Sequence, residues 1–364
     1  MKTSVIGGGI AGLTTGICLH RKGFDTQVFE KSQRYDKTGL GFLLLPNGLQ
    51  ILDLLGLGNL ARERGQMIQK GIFRNPKGTI QKEVSLEGHL GISRFDLMDL
   101  LQAQLSNKVL KTNKAFSHFS GIAHQTIHQA HFMNGESEEA DIFIGADGIH
   151  SRVRKALWGC KGREKARLKE LVGMCDAPDI AAELNGIFLK TQHESYGLSA
   201  GIVPAGQGKI IWFMQYDSHK WDVVSKKAED RLAFVKKLIG KWANPIPQLI
   251  ARTDFDKVYQ WHNKDKELPE KFNHKNVMLI GDACHPFMTF TSQGVNSALD
   301  DAWTLSNLLE AFRFEENTYT KAFTAFELQR RSILERYKNT GRLLAQAFLH
   351  PQQYASFDQL PLVK

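Results

Sequence analysis

Gly7-Gly8-Gly9-Ile10-Ala11-Gly12 separates two stretches of different periodicity near the start of the chain. Ahead of it, Thr3 to Ile6 reads as a short β-strand. Behind it, Ile10 to Lys22 reads as a helix, and Thr26 to Glu30 as a second strand. Strand, glycine turn, helix and strand form a βαβ unit with parallel strands. In such a unit Gly7 permits the tight turn, Gly9 lets the backbone approach a pyrophosphate, and Gly12 lets the helix lie close to the strand. Unpaired N–H groups and the helix dipole favour negative charge at that point. Glu30 lies 18 residues beyond Gly12, at the end of the second strand, and can accept a hydrogen bond from a ribose 2′-hydroxyl. Turn and carboxylate together are far more specific than either alone.

At 364 residues the chain is too long for one ordinary core, so about two domains are expected. The composition, 42% hydrophobic and 23% charged, is that of a soluble globular protein and excludes collagen, coiled-coil and disulfide-rich scaffolds. The net charge of +9 suits an anionic cofactor or substrate as well as nucleic acid or a membrane. No aromatic interleaving or nucleic-acid-binding module accompanies the charge, so no nucleic acid partner is expected. Cys18, Cys160, Cys175 and Cys284 show no CxxC pair or metal-ligand spacing, which implies free thiols, a reducing cytoplasmic setting and no metal. The apolar start is broken by glycines and is not read as a secretory leader, and no apolar run approaches transmembrane length.

Further along, Gly39-Leu40-Gly41 leads into an apolar stretch, Phe42 to Leu45, closed by a turn at Pro46-Asn47-Gly48 and a helical Leu49 to Leu55. Strand-like pieces surround Ile72-Phe73 and Ile80 to Val84, a helix runs from Asp96 to about Ser106, and Phe116 to Phe132 reads as a β-meander. Ala140 to Ile144 and Asn276 to Ile280 read as buried strands. Gly186 to Tyr216 is strand-rich, and Ala228 to Trp242 is helical, ended by Pro245 and Pro247. Gly294 to Phe312 and Thr318 to Leu349 read as closing helices. The expected fold class is α/β: a Rossmann-like domain with a parallel sheet, an inserted β-sheet substrate domain and C-terminal helices. The nucleotide-binding domain would be discontinuous, 1–70, 94–172 and 270–317. The β-rich domain would take 71–93 and 173–269, and the helical segment 318–364.

Two more glycine motifs follow strands, Gly145-Ala146-Asp147-Gly148 and Gly281-Asp282-Ala283-Cys284-His285-Pro286. With the first turn, with Arg94 in Ser93-Arg94-Phe95-Asp96-Leu97, with Pro46-Asn47, and with Phe326-Glu327-Leu328-Gln329-Arg330-Arg331, the chain resembles the class A flavoprotein monooxygenases, the group that includes para-hydroxybenzoate hydroxylase. The resemblance covers nearly the whole chain. It implies FAD as cofactor and NADPH or NADH as transient reductant, since there is no second GxGxxG. Gly7, Gly9, Ile10, Ala11, Gly12, Glu30, Lys31 and Arg94 would hold the adenosine and pyrophosphate side, and Asp282 the ribitol side. Asp147 and Gly148 would lie beside the cofactor, and Gly294, Val295 and Asn296 would present backbone N–H groups to the flavin ring.

In such enzymes NAD(P)H reduces FAD, O2 adds at flavin C4a, and a hydroxyl passes to an electron-rich carbon of an aromatic or polycyclic small molecule. The reacting pocket must stay dry. Phe42, Leu44, Pro286, Phe287, Met288, Thr289 and Phe290 are placed for this. Along Ile210 to Tyr216, period two puts Trp212, Met214 and Tyr216 on one face and Phe213 and Gln215 on the other, with the pocket face left open. Tyr196, Gln215, Tyr216 and His219 are candidates to orient or deprotonate a phenol; none stands out as a base. His285 reads as a loop-shaping residue, and Cys284 as a buried inert thiol. Thr289 and Ser292 depart from the family's usual Pro and Gly. They keep open the alternative of a non-catalytic flavin-binding protein; a reductase or dehydrogenase of the same fold without oxygen insertion is the other alternative. The basic stretch Arg152 to Lys169 reads as a solvated face, with attraction of NAD(P)H as a second role. The protein is expected to be a monomer or homodimer.

Overall fold

In the computed structural model, residues 1–33, 41–123, 126–159, 166–223, 225 and 227–354 are described. Gly39 and Leu40, Cys160, and Lys161, Arg163 and Lys165 of the basic stretch lie outside the described residues.

The chain begins with β1 (Lys2–Ile6), α1 (Ile10–Arg21), β2 (Asp25–Phe29) and β3 (Gly41–Leu44). Next come α2 (Pro46–Leu54), α3 (Gly58–Arg64), β4 (Gln66–Arg74), β5 (Ile80–Ser93) and α4 (Arg94–Gln102). Five strands follow, β6 (Leu110–Lys111), β7 (Phe116–Ala123), β8 (Thr126–Phe132), β9 (Ser137–Glu139) and β10 (Ile142–Gly145), then α5 (Arg152–Trp158). The middle of the chain carries β11 (Leu168–Asp176), α6 (Pro178–Leu184), β12 (Ile187–Gln192), β13 (Leu198–Pro204) and β14 (Lys209–Asp217). Two helices, α7 (Ala228–Ile239) and α8 (Ile246–Arg252), precede β15 (Tyr259–Asn263), β16 (Asn273–His274) and β17 (Val277–Leu279). The long helices α9 (Gln293–Ala311) and α10 (Thr318–Leu349) follow.

Three sheets result. The first has the order β16-β17-β10-β1-β2-β6 and is parallel except at β16–β17. Its inner strands are buried end to end, as parallel strands covered on both faces must be: every residue of β10 and β17 is buried. The second sheet has the order β15-β11-β14-β13-β12-β4-β5-β3 and is antiparallel except where β12 meets β4. A three-stranded meander, β7-β8-β9, lies apart.

Close approach of backbone explains the first turn. Gly7 sits at φ +112°, and a Cβ there would lie 2.4 Å from the Ala146 carbonyl oxygen; a Cβ on Gly12 would lie 1.8 Å from the Gly7 oxygen. Any side chain at either place would push α1 off the sheet.

Several elements differ from the sequence reading. The large sheet begins at Gly41 rather than near Gly71, because β3 pairs with β5, and it also takes β4 from Gln66 and β11 from Leu168. Pro46-Asn47-Gly48 is the first turn of α2, with Pro46 where a missing N–H costs nothing. α4 starts at Arg94, two residues early, because the Ser93 hydroxyl caps it by accepting the Asp96 N–H at 3.0 Å. α7 stops at Ile239, ahead of both prolines, and Pro247 lies in the first turn of α8.

One core cluster joins the parallel sheet to α1, α9 and α10, through Leu13, Ile17, Phe143, Leu299, Leu305 and Phe323 among others. A second lies between the large sheet and α6, α7 and α8. The last turns of α10 pack on the loop before α9, where the Phe348 and Phe290 rings stand 5.5 Å apart.

Candidate active site

A cavity of about 430 Å³ opens between the two larger sheets, bordered on one side by the glycine motifs and on the other by the face of the large sheet. Its glycine side is lined by Gly9, Ile10, Ala11, Arg94, Ala146, Gly148, Ile149, Asp282, Gly294, Val295 and Ala298.

The glycine side fits a dinucleotide on three counts. Gly9, Gly148 and Gly294 have nothing within 4 Å of where a Cβ would stand, so their backbones are open to a bound group. The N-termini of α1 and α9 carry no N-cap side-chain hydrogen bond, and Ile10 and Ala11 of the one and Gly294 and Val295 of the other line the cavity, where first-turn N–H groups suit anionic oxygens. The Arg94 guanidinium reaches the same wall, with no hydrogen bond or ion pair recorded among the described residues. FAD, which carries a pyrophosphate and an electron-accepting ring, matches this set.

The remaining cofactor-side residues have other contacts. Glu30 is buried; one carboxylate oxygen accepts the Gly8 N–H at 2.7 Å and the other the Ser32 N–H at 2.9 Å, so it also clamps the glycine turn. Gly7 and Gly12 lie beneath the turn as packing residues. Lys31 is exposed and does not border the cavity.

Two of the expected cofactor-side residues direct their side chains elsewhere. Asp147 turns its carboxylate away from the cavity onto the start of α5, accepting from the Arg152 N–H at 2.7 Å, the Val153 N–H at 3.2 Å and the Ser151 hydroxyl at 2.5 Å. Burial pushes that carboxyl up, against those hydrogen bonds. Asn296 is fully buried, with its side chain bridging strand and helix: Oδ1 accepts the Leu45 N–H at 2.9 Å, and Nδ2 donates to the Ser292 and Leu43 carbonyls at 2.7 and 3.3 Å. Of that segment, Gly294 and Val295 border the cavity and Asn296 does not.

On the sheet side, Phe42, Leu43, Val172, Phe188, Val203, Ile211, Phe213, Trp261, Phe287, Met288 and Phe290 give apolar walls, with Pro286 and Thr289 at the loop. The open choice on β14 is decided: Ile211, Phe213 and Gln215 face the cavity. Trp212 and Met214 do not, because that face of the sheet is covered by α6, α7 and α8. There the Trp212 indole N–H donates to Thr253 Oγ1 at 2.7 Å. Leu44 also points away, fully buried in the core cluster that includes Leu49, Leu52 and Leu90, and Leu43 borders the cavity instead.

Of the candidate polar groups only Gln215 reaches the site. The Tyr216 hydroxyl accepts from Gln260 Nε2 at 2.8 Å on the helix-covered face, where burial pushes it up to about 12. Tyr196 is exposed beneath Lys220, and the His219 backbone N–H donates to Asp217. Gln215 Nε2 instead donates to Glu170 Oε2 at 2.9 Å and to Thr289 Oγ1 at 3.1 Å. Thr289 Oγ1 donates to Glu170 Oε2 at 2.8 Å and accepts from Asn263 Nδ2 at 2.6 Å. Thr289, which stands where the family usually has Pro, thus joins the loop to the sheet through its hydroxyl.

Glu170, Lys190 and Asn263 were not singled out from sequence. Their signal was a polar side chain at an inward position of an otherwise apolar strand, two residues from Val172 in one case and from Phe188 in another. Burial pushes the Glu170 carboxyl up and the Lys190 ammonium down to about 8; each group's charge pulls against the other's shift.

Beneath the Gly281-Asp282 turn a buried ion network holds the frame. Asp301 accepts from the Gly281 N–H at 2.9 Å and from Arg330 Nε at 2.8 Å, and meets His285 Nε2 at 2.5 Å. Burial would raise the Asp301 carboxyl, but His285 and Arg330 outweigh it and hold it below the usual carboxylate range. Asp282 borders the cavity, and burial raises its carboxyl. Cys284 is buried and its thiol is pushed well above the ordinary value, as for an inert thiol.

The 3-amino-4-hydroxybenzoate 2-monooxygenase of Streptomyces cremeus is 27% identical over 365 aligned positions, covering 96% of this chain and 88% of that one. The 6-hydroxynicotinate 3-monooxygenase of Bordetella bronchiseptica is 25% identical, over 90% and 86% of the two chains. Among solved structures, Klebsiella pneumoniae HpxO complexed with FAD and uric acid superposes with a TM-score of 0.87 at 22% identity, over 99% of this chain and 92% of that one, a likeness of fold. The family model described as FAD binding domain matches residues 1–336. The chain therefore belongs to that FAD-binding family, and is a class A flavoprotein monooxygenase.

Proposed function

We propose that this protein hydroxylates a small aromatic molecule at the expense of NAD(P)H and O2. One observation carries the reading: a dinucleotide cradle and an aromatic-walled recess share a single cavity. Bound FAD, reduced by NAD(P)H, supplies the activation of O2. The chain's own residues do the rest. The α1 N-terminus and Arg94 would hold the pyrophosphate of FAD, and Glu30 its adenosine ribose. The N-terminus of α9, where Gly294 and Val295 border the cavity, would favour negative charge on a ring system bound there. Phe42, Phe213, Phe287 and Phe290 exclude water and hold a planar substrate, and Gln215 and Thr289 present polar atoms at its edge.

The parallel sheet with α1 and α9 forms the FAD-binding unit in this reading, and the eight-stranded sheet the substrate unit. The buried free thiols of Cys18, Cys175 and Cys284 suit a cytoplasmic setting. Among the described residues no helix is long and apolar enough to cross a membrane.

The test is oxygen uptake by the FAD-loaded protein with NADH or NADPH, across a panel of hydroxy- and aminobenzoates, neutral phenols and hydroxylated N-heteroaromatics. A ring compound that accelerates uptake and is recovered hydroxylated supports the reading. Reduced nicotinamide consumed with all oxygen returned as H2O2 across the panel contradicts it.

A further inference from the structure

Lys190 occupies an inward position of β12, two residues after Phe188, and both side chains border the cavity. Strand register fixes its neighbours. Lys190 pairs with Gly201, Gly201 with Phe213, and Phe213 with Val172. On the next rung of the same face Ser199, Gln215 and Glu170 follow one another. A Cβ on Gly201 would lie 2.0 Å from the Phe213 ring, so the ring lies across the gap that the glycine leaves beside Lys190. Lys190 therefore marks the seam between an aromatic wall and a polar end.

Only 6% of Lys190 is exposed, yet among the described residues its ammonium has no hydrogen bond and no ion pair within 4.0 Å. The contact it does make is with the Phe290 ring, 5.6 Å from the centroid. Glu170 attracts Lys190 without forming an ion pair with it: its Oε2 is held by Gln215 and Thr289. The ammonium is thus an unpaired cation at the cavity wall, and an anionic oxygen arriving in the cavity can meet it in a charge-assisted hydrogen bond. Charge and aromatic surface side by side are what an aromatic acid needs: the ring against Phe213 and Phe290, the carboxylate on the lysine.

We propose that Lys190 binds a ring carboxylate of the substrate and so selects aromatic acids over their neutral counterparts. The assignment rests on the reading of this cavity as the substrate pocket of a hydroxylase. It makes Lys190 a specificity-determining residue, with no part in oxygen activation.

The probes are 3-amino-4-hydroxybenzoate and its amide, titrated into the FAD-loaded protein and read by the change in flavin absorbance. The unchanged protein is expected to bind the acid at least tenfold more tightly than the amide. Lys190→Met should remove that preference by weakening the acid alone, with FAD content and amide affinity within about twofold of the original; Lys190→Arg should keep most of it. A Lys190→Met protein that still prefers the acid overturns the assignment. So does an unchanged protein that binds the acid no better than the amide, including one that binds neither, and this arm stands even where Lys190→Met does not fold. The two readings fail separately. Hydroxylation of neutral phenols without regard to charge would leave the function standing and remove Lys190; acid binding through Lys190 without substrate-dependent oxygen use would do the reverse.

Discussion

Single residues in this site divide by what stands where their side chain would be. Gly9 and Gly12 belong to one motif, but a Cβ on Gly9 meets nothing within 4 Å, whereas one on Gly12 meets the Gly7 oxygen at 1.8 Å. Gly9→Val should leave the thermal midpoint of the cofactor-free protein unchanged and weaken FAD binding by tenfold or more, about 1.4 kcal/mol. Gly12→Val should lower the cofactor-free midpoint itself. Calorimetry of both stripped variants, with FAD titration, checks the pair; equal loss of stability in the two would show that Gly9 is packing and not an opening for pyrophosphate. The motif was legible because its chemistry is local. Lys190 and Glu170 carry only the weak local signal of a lone charge at an inward strand position, and it takes the pairing of β11, β12 and β14 to set both on one wall.

Among the elements, β14 shows how far period two reaches. Alternation separates Phe213 and Gln215 from Trp212, Met214 and Tyr216, but both faces are largely apolar and the pattern cannot say which is covered by helices. α6, α7 and α8 cover the face bearing Trp212, packing Val235, Ile239 and Leu249 there. Trp212→Ala should therefore cost about 3–5 kcal/mol of stability through the cavity it leaves. Phe213→Ala should cost less and instead admit water, raising the share of oxygen released as H2O2. Urea unfolding and peroxide yield, measured on both variants, decide this; the reverse pattern would mean the sheet face is misassigned. The same limit applies to β3, which falls in what the sequence shows only as an apolar stretch, Phe42 to Leu45, while its partners Leu90 to Ser93 on β5 lie far along the chain. The large sheet consequently starts earlier in the chain than composition suggests.

Across the whole molecule, the first turn, the Gly281-Asp282 turn and the two closing helices come from distant parts of the chain, and Asp301 joins three of them. It lies on α9 and ties Gly281 and His285 to Arg330 on α10. Removing Arg330 leaves a buried carboxylate undercompensated, so Arg330→Met should destabilise the fold by about 3–5 kcal/mol. The pH dependence has a definite sign. The Asp301 carboxyl lies below its unfolded value, near 3.9, so its contribution to stability is present above that pH and is lost as pH falls through the lower folded value. In Arg330→Met the loss should begin at higher pH, because only His285 and the Gly281 N–H then oppose the effect of burial on the folded carboxyl. Thermal midpoints between about pH 3 and 7 test this, and parallel curves for the two proteins would contradict it. This network could not be read from sequence, because its three acid and base members are far apart in the chain. The basic balance of +9, by contrast, is visible in the sequence, and a net positive charge favours the approach of anionic nucleotides.

In the proposed reaction one atom of molecular oxygen enters an aromatic ring. Mass spectrometry of the product formed under 18O2, with NAD(P)H and an aromatic acid that accelerates oxygen uptake, reads this step without intermediaries. A ring product carrying one 18O atom is expected; a product carrying oxygen from water, or an unchanged ring with all oxygen recovered as H2O2, would overturn the reaction.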